Sequence, residues 1–104
     1  MTNFEKCKDD IFKITKLRDN IKKIADHYGF ELQSKMLVEE MAELTKEVSK
    51  HWRGEENHIF IAEEIADVEI MLEQIKHLLG IKREVDQWKN RKILRQMKRM
   101  EGEK

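Results

Sequence analysis

Two six-residue stretches, Val38–Glu43 (VEEMAE) and Ala62–Asp67 (AEEIAD), place six acids in twelve positions, each set interleaved with small or apolar residues. On a helix turning about 100° per residue, Glu40, Glu43 and Glu47 share a stripe with Leu32 and Met36 at the border of the apolar face. Glu64 and Asp67 share a stripe with Phe60, Met71 and Leu78, inside the apolar sector. Glu69, Glu73 and Lys76 project to the outer side. Carboxylates are seldom buried unless paired or metal-bound, and an unpaired buried one tends to take up a proton. Four acids converging from two helices repel one another, and a divalent cation is the simplest stabiliser. The bland alternative, a solvated helix edge with Lys46 and Lys50 pairing nearby acids, accounts for either motif alone better than for both together.

Oxygen-only ligation favours Mg²⁺, with Mn²⁺ as the alternative. Di-iron bundles use Glu-x-x-His on two helices; that spacing occurs here at Glu55 and His58, in a loop. His-Glu-x-x-His and phosphate-binding Gly-rich loops are absent. His27, His51, His58 and His77 are scattered and read as surface or boundary residues. Cys7 is the single cysteine, so neither a disulfide within the chain nor a Cys-based zinc site is expected, and a reducing, cytoplasmic compartment is. The N-terminal stretch lacks an apolar run of signal-peptide length, and no membrane span is expected.

The elements that position these acids follow from punctuation. The 104 residues include four glycines and no proline, and 40% are charged, which favours long helices over sheets. Gly29 in HYGF, Gly54 in RGEEN and Gly80 in LLGI separate helices predicted over about 4–28, 31–52, 58–79 and 82–100, with a break in the first near Arg18–Asn20. Leu37, Met41, Leu44 and Val48 recur at helical spacing. So do Ile61, Ile65, Val68, Leu72, Ile75 and Leu79. Two such helices joined by a short loop lie antiparallel along a shared seam. The expectation is one all-α domain over 1–104, completed by self-association because so short a chain buries little. Formal net charge is zero, yet residues 29–79 carry five Lys/Arg against twelve Asp/Glu, and residues 82–104 carry nine against four. That asymmetry fits two differently charged solvated faces, or a cation site joined to an anion-binding segment.

EEMAE (Glu39–Glu43) followed by EIAD (Glu64–Asp67) resembles the E-E-x-x-E … E-x-x-D signature of the MazG-like family of all-α nucleoside triphosphate pyrophosphohydrolases. The similarity covers roughly 24–99, including HYGFELQ, ADVEIMLEQIK and WKNRKILRQ. The resemblance implies an antiparallel helical bundle completed as a homodimer or homotetramer. It also implies Mg²⁺-dependent hydrolysis of an NTP or dNTP to the monophosphate and pyrophosphate. Family ligands map onto Glu40, Glu43, Glu64 and Asp67. Glu39 or Glu63 is left to orient or deprotonate the attacking water, Glu39 being preferred; the other role for either is a solvent-exposed acid. Lys89, Lys92 and Arg95, at i, i+3 and i+6 of the fourth helix, form a basic stripe suited to the phosphate chain, or a solvated helix exterior. Gln33 is placed to meet a base edge, and Trp52 or Trp88 to stack on it, although tryptophans at helical spacing are more often core or interface. The rival expectation is a non-enzymatic helical module that binds a nucleotide, or nucleic acid through the basic tail. It leaves the seam-facing acids without a role, so nucleic acid is not the expected partner.

Overall fold

A computed structural model describes residues 2–103. These residues form three helices and no strand: α1 (Asn3–Trp52), α2 (His58–Leu79) and α3 (Lys82–Gly102). The chain is therefore all-helical. No helix among the described residues is long and apolar enough to cross a membrane. Thr2 opens α1 with a reciprocal capping box: its Oγ1 accepts from the Glu5 backbone N–H at 3.1 Å, and Glu5 Oε2 accepts from the Thr2 N–H at 3.1 Å. α1 runs unbroken through Arg18–Asn20, correcting the break expected there. Asp19 and Asn20 are exposed, and their modest helix propensities cost too little to interrupt a long helix.

The break in α1 falls at Gly29 (φ 83°, ψ 168°), a backbone region essentially restricted to glycine. Two arms result, one on each side of Gly29. The second arm turns at Arg53–Asn57, through Gly54 (φ 95°), and α2 returns antiparallel to it. Gly80, in the left-handed conformation, ends α2. Its N–H donates to the His77 carbonyl and that of Ile81 to the Lys76 carbonyl, the paired bonds of a Schellman motif. Only Gly80 and Ile81 separate α2 from α3.

Polar contacts line the α1–α2 seam at intervals of seven residues along α1. Asp26 meets His77 at 2.8 Å, and Gln33 donates to Gln74 at 2.7 Å. Glu40 lies beside Glu64 and Asp67. Asn57 donates to both the backbone carbonyl and the carboxylate of Glu47, each at 2.8 Å. The α2 partner number falls as the α1 number rises, as antiparallel helices require. Between these rungs the apolar core is small: Ala25, Val68 and Met71 are the buried hydrophobic residues among those described. Met41, Ile65, Leu72 and Leu79, all from the predicted apolar set, remain exposed.

α3 approaches α2 sparsely near their connection and does not pack on α1. Trp88, Ile93, Leu94, Met97 and Met100 stay exposed along it. The radius of gyration, 17.7 Å, exceeds the roughly 13 Å of a compact 100-residue domain: α3 stands away from the hairpin, and the first turns of α1, exposed through residue 20, project beyond it.

A Cβ at residue 29 would meet no neighbouring atom, so the cost of Gly29→Ala is one of backbone strain alone. The expected loss is about 1–3 kcal/mol, measured as a lower urea midpoint at unchanged slope. An unchanged midpoint would show that α1 straightens without cost.

Candidate metal centre

Glu40 projects from the second arm of α1, and Glu64 and Asp67 project from successive turns of α2. One carboxylate oxygen from each lies within 4.8 Å of the other two. The i, i+3 spacing sets Glu64 and Asp67 side by side, and the antiparallel seam brings Glu40 to them. All three are half-buried. Glu64 Oε2 is shielded from solvent and has no hydrogen-bond partner.

This rung differs from the other three. Asp26, Gln33 and Glu47 each meet a group on or next to α2 that can share a hydrogen bond. At Glu40 acids face acids. Loss of hydration, then the charge of Asp67, raises the Glu40 carboxyl above its ordinary value. Loss of hydration, then the charges of Asp67, Glu40, Glu43 and Glu63, raises that of Glu64. One rung away the electrostatics reverse: the hydrogen bond from Asn57 holds Glu47 below its ordinary value against some loss of hydration, with help from Lys50. Glu47, on the predicted acidic stripe, thus anchors the loop rather than joining the trio.

The other predicted site residues are dispersed. Glu43 is exposed and outside the trio, though its charge reaches both Glu40 and Glu64. Glu39 and Glu63 are exposed, each adjacent in sequence to a member of the trio. Gln33 is 6% exposed and its amide nitrogen is engaged by Gln74. Trp52 and Trp88 are both exposed. Lys89, Lys92 and Arg95 are exposed on α3, which does not approach the arm carrying Glu40 within one chain. Glu73 and Lys76 are half-buried and paired with each other, correcting their assignment to the open outer face. Gln74, buried at the centre of the seam, is absent from the predicted apolar pattern because polarity hides it. Its signal is position, three residues beyond Met71 on the inner stripe.

The donor set suits a hard divalent cation. Oxygens bound to Mg²⁺ at 2.0–2.1 Å sit roughly 3 Å apart in an octahedron, so the trio would draw in by up to about 2 Å. The shielded Glu64 oxygen lacks the positive partner such an ion provides. No protein-family model, no curated protein and no solved structure matches the chain.

An acid raised in the folded state binds extra protons there, so its burden on stability is present above the raised value and relieved as pH falls through it. In EDTA at neutral pH, Glu64→Gln is therefore expected to raise the melting temperature by a few degrees. The gain should shrink as pH approaches the ordinary 4.5 of a glutamate. A variant that melts lower than wild type at pH 7 would contradict the repulsion assigned to this rung.

Proposed function

We propose that the chain is an Mg²⁺-dependent nucleoside triphosphate pyrophosphohydrolase of the MazG-like type. The carrying observation is the acid-only rung of Glu40, Glu64 and Asp67, with its shielded and unpartnered Glu64 oxygen. Three other rungs of the same seam are complementary. A rung of like charges lowers the stability of the metal-free protein, and ion binding gives that cost a purpose.

Glu40, Glu64 and Asp67 would hold the ion, and Glu43, one turn from Glu40, would be the next carboxylate able to reach it. A divalent ion held there would supply positive charge against the phosphates and favour loss of a proton from water. Glu39 or Glu63, exposed beside the ligands, accepts a proton as the water attacks the α-phosphorus. The new P–O bond completes the monophosphate, the bond to the bridging oxygen breaks, and pyrophosphate leaves.

The hairpin completes its core in a homodimer or homotetramer. Two features support this: the exposed seam-side residues Met41, Ile65 and Leu72, and the uncovered apolar residues of α3. Oligomerisation also offers a route by which Lys89, Lys92 and Arg95 of one copy reach the phosphates held by another. Gln33 acts in this arrangement as a seam residue, its amide engaged by Gln74. The rival module reading rests on the projecting basic α3 and gives the acidic rung no work.

Pyrophosphate release from a panel of NTPs and dNTPs, with and without Mg²⁺, tests the activity. At least one substrate should be turned over, and only with the ion. Glu40→Gln and Asp67→Asn should each lower turnover by more than about 100-fold, since even groups that merely orient metal ligands cost 10–100-fold; helicity should remain near wild type. Metal-independent nucleic-acid binding with no turnover of any substrate would establish the rival. Light scattering should give a mass of at least two chains.

A further inference from the structure

Away from the acidic rung, three elements surround a cleft of about 820 Å³. Arg18 and Lys22 line it from α1, Lys76 from α2, and Lys82, Arg83 and Lys89 from α3. Two acids, Glu73 and Asp86, share the lining. Lys76 is paired with Glu73, but the other five cations form no ion pair among the described residues. The Asp26–His77 pair sits at the His77 side of the wall. Five unpaired cations drawn from two separate helices create a field that a mobile multivalent anion relieves.

The backbone adds to the same wall. Ile81 occupies the position before the first turn of α3 and supplies no side-chain hydrogen bond. The opening amides of a 21-residue helix are therefore free to donate, and the positive end of its dipole lies at Lys82 and Arg83. The Schellman turn at Gly80, itself part of the lining, holds this helix end beside Lys76. Cleft volume falls within the usual range for small-ligand sites. Lys76 lies about 14 Å beyond Asp67 along the α2 axis, so the two charged centres of one chain are separate.

We propose that this cleft is a second site, one that binds a chain of phosphates, free or carried by a nucleotide, without a divalent ion. Recognition comes from Arg18, Lys22, Lys82 and Arg83 with the first amides of α3. The guanidinium groups of Arg18 and Arg83 supply forked donors, and the lysines supply point charges.

Calorimetric titration of the full chain in EDTA and about 0.1 M salt, where charges are screened beyond roughly 10 Å, tests the site. The probes are inorganic triphosphate and a nucleoside triphosphate. One anion should bind per chain. The double variant Lys82→Glu/Arg83→Glu should weaken binding by at least about tenfold, and Lys22→Gln, on a different helix, should weaken it measurably. Lys98→Glu, roughly 24 Å along α3 from Lys82, should leave affinity within about twofold. Equal affinity for the two probes identifies the phosphates as all that is read, and tighter nucleotide binding adds the base or sugar; both uphold the site. No binding of either probe at millimolar concentration overturns it. So does an equal loss in Lys98→Glu. EDTA silences the acidic rung, so failure here leaves the proposed hydrolysis untouched. Lys89 is kept intact because it also belongs to the basic stripe of that proposal.

Discussion

The α1–α2 seam depends on its polar rungs more than on its apolar filling. Three buried hydrophobic residues cannot alone specify how two long helices slide against one another. The Gln33–Gln74 bond can, because a shift of register would leave two buried amides without partners, each at a cost of about 1–3 kcal/mol. Asn57 does the same at the loop end by holding two oxygens of one residue, Glu47. These contacts fix where α2 stands, and so bring Asp67 and Glu64 to Glu40.

The acidic rung can be repulsive because its neighbours are not. Complementary pairs on both sides hold the helices together while Glu40 and Glu64 lose hydration and gain like-charged company. Flanking contacts of this kind hold the three carboxylates close, so that side-chain adjustment alone would bring them closer. The same arrangement explains why the chain tolerates so thin a core: specificity of register and extent of burial are supplied by different residues.

Helix punctuation was legible from glycine placement alone, and the predicted 58–79 helix coincides with α2. The acids at the seam were legible because Glu64 and Asp67 occupy an apolar stripe, where a carboxylate is conspicuous. The partnering of Gln33, Glu47 and Asn57 was not. Such pairs depend on the offset between two helices, and periodicity within one helix is silent about offset. Gln33 therefore read as a group available to a ligand, and Glu47 as one more acid of the stripe. The stance of α3 was hidden for a related reason. Its apolar residues announce a buried face, but a sequence does not say whether that face is covered by its own chain.

Gly29 carries a consequence for helical phase. Seven residues fall about 20° short of two full turns in a straight α-helix, so a seven-residue ladder slowly winds away from its partner. From Gln33 to Glu47 the drift is about 40°, which flexible side chains absorb. Extended unbroken to Asp26, it would reach about 60° and turn that residue from α2. Coiled coils correct such drift by supercoiling; this chain interrupts the helix once. The non-helical step at Gly29 lies between Asp26 and Gln33, and Asp26 meets His77 beyond it. A single residue without a side chain thus stands where two helical segments join in one line of contacts.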